Sequence, residues 1–199
     1  MTRFAIDSRA AQLSSSKVEQ PVPHPSDMPP LGADYPSIRQ MTQNDSGLLE
    51  DFFNNMTRQS RFSRFMTPFS EVPPSLVRIL SSVQPPFHTA FAATIGTGNE
   101  AKMIGEARYI ATDASASTAE FAIAVADQWQ GMGLARKLLQ QIEDVALENG
   151  IGTLVGITMR SNIAMIELAR RAGYSLKPDP SEARAVKLVK QLAVTHLIH

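Results

Sequence analysis

The segment Gln128-Trp129-Gln130-Gly131-Met132-Gly133-Leu134-Ala135 sets two glycines between an alternating apolar run and an amphipathic stretch. Glycines at such a junction let backbone N–H groups approach an anion closely, and the helix that follows offers unpaired donors and a partial positive charge. The ligand this predicts is a phosphate-bearing cofactor. A Walker A loop would need four residues between its glycines and then Gly-Lys-Ser/Thr, and a dinucleotide fingerprint would need a third glycine where this chain has Arg136. Neither pattern is present, which leaves a Q-x-x-G-x-G turn.

The elements that must hold this turn alternate along the chain. Residues 1–36 carry Ser14-Ser15-Ser16 and then Pro21, Pro23, Pro25, Pro29, Pro30 and Pro36, a composition that predicts a disordered tail. Ser37 to Met41 reads as a first strand. Asn44 or Asp45 can cap a helix through about Met56, with Leu48, Leu49, Phe52 and Phe53 as its apolar stripe. Thr57 to Ser60 is polar, and Arg61 to Phe65 interleaves aromatic and basic residues. A short helix is expected from Pro74 to Ser81. Phe87–Ile95, Lys102–Thr112 and Ala119–Ala126 read as three strands, Met132–Glu148 as a helix ended by Asn149-Gly150, and Thr153–Thr158 as a short buried strand. A helix over Asn162–Ala172 follows, closed by Gly173, with extended segments at Tyr174–Leu176 and Ala185–Leu192. This order predicts an α/β fold with a mixed central sheet and helices on both faces.

Composition narrows the function. Among 199 residues, Lys+Arg and Asp+Glu both number 19, so the formal net charge is zero and the basic excess of a nucleic-acid binder is missing. The chain has no cysteine, which removes disulfides, thiolate metal sites and cysteine nucleophiles. Its histidines, His24, His88, His196 and His199, show no metal-ligand spacing, so no metal is expected. No apolar run nears the roughly 20 residues of a membrane span, and the first residues lack an apolar signal core. A cytoplasmic protein without membrane or nucleic-acid partners is the expectation.

The Gln128 turn and the element order together resemble the GNAT acetyltransferases over 37–192. Asn162 and Gly173-Tyr174 stand at the spacing of that family's second motif, where an asparagine opens a helix ending in Gly-Phe or Gly-Tyr. Gly105-Glu106-Ala107-Arg108-Tyr109, Ala119-Glu120-Phe121-Ala122, Asp127 to Gly131 and Leu168 to Tyr174 are similar to the GNAT domain of bacterial protein-lysine acetyltransferases. The resemblance implies acetyl-CoA as co-substrate and an amine acceptor, either protein lysine or a small molecule. It implies that two central strands splay apart around the pantetheine arm, which pairs with main-chain groups near Ile123 and Val125. The N–H groups of Gly131, Met132, Gly133, Leu134 and Ala135 would hold the pyrophosphate. Arg136 would add a charge-assisted contact or stand solvated, and Asn162 would touch the cofactor arm or serve as a bare helix cap.

Amine acetylation needs a neutral amine, and a lysine ammonium has a reference pKa of about 10.4. A carboxylate base is therefore expected, directly or through water. Glu120 is the first choice: alternation puts Phe121, Ile123 and Val125 on one face and leaves Glu120 with Ala122, Ala124 and Ala126 on the other, where small residues leave room for substrate. The competing reading is a solvated carboxylate at a strand start. Glu106 is the second candidate, with an ion pair to a neighbouring arginine as its alternative. Many GNAT enzymes have a tyrosine seven positions after the motif asparagine; here that position is Ala169. A thiol of pKa about 8.5 can leave as thiolate without it. Ala169 and the proline-rich tail also leave open a non-catalytic acyl-CoA-binding module. Arg58, Arg61 and Arg64 fall at helical spacing, either as a solvated face or to steer an acidic group, and Tyr174 reads as a core residue.

Overall fold

The computed structural model describes residues 35–112 and 117–192. The tail expected over 1–36 lies almost wholly outside them. Seven strands form one sheet in the order β1-β2-β3-β4-β5-β7-β6: β1 Ser37–Gln40, β2 His88–Ile95, β3 Lys102–Ala111, β4 Thr118–Val125, β5 Thr153–Met159, β6 Ser175–Pro178 and β7 Ala185–Gln191. All neighbours pair antiparallel except β4 and β5, which run parallel. The helices are α1 Ser46–Asn55, α2 Arg58–Phe65, α3 Pro74–Ser81, α4 Leu134–Glu148 and α5 Ile163–Arg171. The sheet is mixed and helices cover both faces, as the element order predicts. Among the described residues no helix is long and apolar enough to cross a membrane.

Each face has its own core. On one, Leu134, Leu138, Leu139, Ile142 and Ala146 of α4 pack with Phe91, Ala107, Tyr109, Phe121 and Leu188 of the sheet. Their three- and four-residue spacing is that of a helix's apolar stripe. Gly105 permits the close approach, since a Cβ there would stand 3.0 Å from Leu138 Cδ1. On the other face Leu49, Phe52 and Phe53 of α1 and Val77 and Leu80 of α3 cover Ala90, Ala92 and Ala124. The alanines matter because small strand residues let those helices lie close to the sheet.

The one parallel pairing is short. It runs from Thr118 opposite Thr153 to Glu120 opposite Val155 and goes no further. The next pair would be Phe121 with Gly156, and the Phe121 ring occupies the space above Gly156, where a Cβ would come within 2.6 Å of it. β5 instead continues along β7 to Met159 opposite Ala185, while β4 stays on β3 to Val125 opposite Gly105. The two strands part at Glu120.

One element was not anticipated. Arg58–Phe65 is a helix, its first turn capped by the Thr57 hydroxyl accepting from Ser60 N–H. The arginines do not form a solvated face. Arg61 is buried, and its Nη1 donates to the carbonyls of Phe53, Asn54 and Met56 at 3.1, 2.9 and 3.0 Å. These carbonyls close the C-terminal end of α1, where helix geometry leaves acceptors short of donors; the Phe53 carbonyl also takes the Met56 N–H. Arg64 also turns inward, and only Arg58 stays exposed.

Candidate active site

The gap between β4 and β5 leaves backbone groups without a strand partner. Ala126 N–H donates to Ile104 C=O and Thr118 C=O accepts from Thr112 N–H, so even-numbered residues of β4 aim their polar groups at β3. Odd-numbered residues aim at β5. Beyond Glu120 no strand receives them, and the main chain of Ile123 and Val125 faces the gap. These are the two positions the sequence reading selects. The Val125 carbonyl is not idle, because Gln130 Nε2 donates to it at 3.0 Å.

The gap leads to the glycine turn. Gly131 and Gly133 have φ of 77° and 80°, a left-handed conformation that favours glycine, and Gly133 is the residue from which α4 starts. The helix begins two residues later than expected, since Met132 and Gly133 belong to the turn. Among the described residues, the five successive N–H groups of Gly131, Met132, Gly133, Leu134 and Ala135 donate to no acceptor. The first turn of α4 carries no carboxylate; it carries exposed Arg136 and Lys137 instead. Basic residues at the positive end of a helix dipole are unfavourable unless an anion sits there. Free donors, dipole and side-chain charge therefore all suit a diphosphate.

The turn is anchored by residues the sequence reading passed over as merely polar. Thr57 N–H and hydroxyl each donate to the Asp127 carboxylate at 2.9 Å, and the Ser60 hydroxyl donates to the same Oδ1. Gln130 Nε2 also reaches Ser60 Oγ at 3.3 Å. Burial opposes charge on Asp127, but the bonds from Ser60 and Thr57 outweigh it and hold its carboxyl below the usual carboxylate value. The clamp is thus complete above the ordinary carboxylate pKa and lost only as the pH falls through this lower one. Asp127→Asn, which turns an amide toward these donors, is expected to weaken acetyl-CoA binding about tenfold with kcat little changed. Calorimetry and steady-state kinetics check it, and unchanged affinity would reduce Asp127 to a surface residue.

Where the strands part, a cavity of about 240 Å³ is lined by Arg64, Leu80, Arg108, Ile110, Glu120 and Ala122, among others. Glu120 is exposed there and, among the described residues, forms no ion pair. Glu106 is different. It is fully buried, with Oε1 accepting from Arg64 Nε and Nη2 at 3.0 and 2.7 Å and Oε2 from Arg108 Nε at 2.8 Å. Burial alone would raise its pKa, but the Arg108 and Arg64 charges win and hold the carboxyl below its usual value. Both oxygens are engaged, so Glu106 is an ion-pair centre and not a base. Burial draws the Arg108 guanidinium below its ordinary pKa; Glu106 opposes this and Arg64 adds to it. His88 receives Arg108 Nη1 on Nε2 at 3.2 Å and, through Nδ1, meets the Ser82 carbonyl at 3.0 Å, which fixes the neutral tautomer. Burial first, and Arg108 second, hold its pKa down.

The second motif opens α5. Asn162 Oδ1 caps α5 by accepting from Met165 N–H at 3.2 Å, and its Nδ2 donates to Thr158 Oγ1 at 3.1 Å. Ala169 is fully buried and offers no hydroxyl. Tyr174 is a core residue, its ring 5.1 Å from that of Phe121, and burial with the Glu143 charge pushes its hydroxyl well above the ordinary value. A larger cleft of about 360 Å³ between α1 and α3 shares only Ser82 with these groups.

The acetyltransferase (GNAT) family model matches residues 54–174. The chain is 28% identical over 149 residues to the acetyltransferase PA5475 of Pseudomonas aeruginosa, covering 75% of this chain and 80% of that one. The GNAT domain of PAT from S. lividans superposes with a TM-score of 0.72 at 29% identity, over 79% of this chain and 90% of that one. The yncA putative acetyltransferase of Salmonella typhimurium, solved with its cofactor acetyl-CoA, superposes at 0.64 with 18% identity, over 80% and 95% of the chains. The free donors of the glycine turn, the open edge of β4 and the matched family agree, and the chain belongs to the GNAT acetyltransferase family, with acetyl-CoA as its acyl donor.

Proposed function

We propose that the protein transfers an acetyl group directly from acetyl-CoA to an amine, with protein lysine the leading acceptor and Glu120 the base. The likeness to the GNAT domain of PAT, a protein acetyltransferase, supports this acceptor class. The observation that carries the reaction type is the position of Glu120. It is the last β4 residue paired with β5, so it stands at the apex of the gap whose other end opens on the five free N–H groups.

Acetyl-CoA supplies a thioester carbonyl that an amine can attack. The chain does the rest. Gly131 to Ala135, with Arg136 beside them, hold the diphosphate; Ile123 and Val125 align the arm as a neighbouring strand would. Asn162 steadies the far wall of the gap through its two side-chain bonds to α5 and β5. Glu120 takes the proton that the amine loses as the C–N bond forms and the C–S bond breaks, the electron pair leaving with sulfur. Neither Ala169 nor Tyr174 donates a proton to that sulfur, which departs as thiolate.

Two measurements test this together. Calorimetry should give saturable acetyl-CoA binding, and Gly131→Val with Gly133→Val should weaken it by about 100-fold or more, since both positions need positive φ beside the ligand. Thiol release should depend on an added lysine peptide or small amine. Tight binding with no transfer to any acceptor would instead mark an acyl-CoA-binding module.

A further inference from the structure

The sheet face that carries Glu120 continues into apolar side chains that neither core collects. Register sets Glu120 opposite Val155, Val155 opposite Val189 and Val189 opposite Ser175. Directly opposed residues point to the same side, so the next row on that face is Ile157, Lys187 and Lys177, with Met159 beyond. α4 and α5 pack on the other face, together with Leu154, Val186 and Leu188. Val155, Ile157, Met159 and Val189 are half-buried and belong to neither apolar core. A contiguous apolar strip of this kind marks a surface that a partner covers.

The same face holds two cations in an unfavourable arrangement. Lys177 and Lys187 stand directly opposite one another on β6 and β7, and like charges at such positions repel. Lys187 is half-buried as well. Among the described residues neither forms an ion pair. The diphosphate turn leads into α4 on the opposite face, so these charges suit a different anion. Outward from Glu120 the surface therefore runs base, apolar strip, paired cations. With strands about 4.8 Å apart and a rise of about 3.3 Å per residue, the stems of Lys187 and Lys177 lie roughly 12 and 16 Å from that of Glu120. An extended chain spans that distance in about four or five residues.

We propose that this face docks an extended segment of the acceptor protein. The segment sets its lysine at Glu120, an apolar residue on Val155, Ile157 and Val189, and an Asp or Glu, about four or five positions from that lysine, on Lys177 and Lys187. The inference rests on the transfer reading above and deepens it, naming the surroundings that the acceptor lysine must have. A small amine would reach neither the strip nor the cations.

The test measures thiol release by the full chain at saturating acetyl-CoA. The acceptors are Nα-acetyl-lysine amide and one lysine peptide in three versions, with Glu, Gln or Arg about four and five positions to either side of the lysine. The Glu version should exceed the Gln version in kcat/KM by about tenfold and the Arg version by about 100-fold. The difference belongs in KM, since docking is shared by ground and transition states, and it should shrink as salt rises from about 0.05 to 0.5 M. Lys177→Glu with Lys187→Glu should invert the order of the Glu and Arg versions. Each protein is read as a ratio between peptides, so any change in basal turnover cancels. Should the double variant fail to fold, Lys177→Gln relieves the repulsion and should cut the Glu-to-Gln ratio about threefold. Equal kcat/KM for the three versions, or for the Glu version and the bare lysine amide, would overturn the inference and leave amine transfer standing. A dimer in sedimentation that Ile157→Asp dissociates would give the face to a second copy of the chain and overturn it as well. Release with no acceptor, or transfer to none of them, would remove the transfer reading and this inference together.

Discussion

Glu120→Gln is expected to lower kcat by about 100- to 10,000-fold, the range spanned by loss of a positioned general base. The substitution keeps shape and removes basicity. Glu120 is exposed and, among the described residues, forms no ion pair, so the fold should be unaffected, within about 0.5 kcal/mol. Acetyl-CoA affinity should also hold, because the diphosphate donors are main-chain groups of a turn that Glu120 does not touch. The loss therefore belongs in kcat and kcat/KM alike, the signature of an interaction made on the way to the transition state. Its pH dependence is diagnostic. As the pH rises toward the amine's own pKa more acceptor arrives already neutral, so the variant should recover relative to the unaltered protein. Full turnover by the variant at every pH would exclude Glu120 as the base, and calorimetry in parallel would show whether binding had changed instead.

Much of this site is legible in local pattern. The two glycines of the turn need left-handed φ, and only the residue type had to be read to expect it. Strand alternation likewise put Ile123 and Val125 on one side of β4 and Glu120 on the other, and the ladder keeps that parity. What local pattern could not supply is anything decided by distant partners. Arg61 and Arg64 read as a solvated face or as steering an acidic group, yet Arg64 finds Glu106 at a separation of 42 residues and Arg61 finds the carbonyls at the end of α1. Thr57 and Ser60 read only as polar because their acceptor, Asp127, lies 70 and 67 residues away. The parting of β4 from β5 has one faint local sign, a glycine at 156 in an otherwise β-branched and apolar strand. Its meaning depends on which aromatic ring comes to rest above it, and that is Phe121.

Glu106→Gln should be the most destabilising of the conservative changes, by about 3–5 kcal/mol, because it strips the shared anion from two buried guanidiniums. At this chain size the melting temperature should fall by about 10 °C or more. The amide can still accept a hydrogen bond, so the cost lies in the uncompensated charge of Arg64 and Arg108. The pH profile separates charge from packing. Glu106 has its folded pKa depressed, so its contribution is fully present above the unfolded value of about 4.3 and is lost as the pH falls through the folded one. The variant should lack that acid limb and differ most from the unaltered protein near neutrality. Adding Arg64→Met should restore part of the loss, since it removes one of the two stranded cations and replaces it with apolar volume beside the Phe53 and Phe65 rings that Arg64 now covers. Urea denaturation of both variants across pH checks the sign as well as the size. A simple additive loss from Arg64→Met would mean that the trio is held by packing and not by the shared charge.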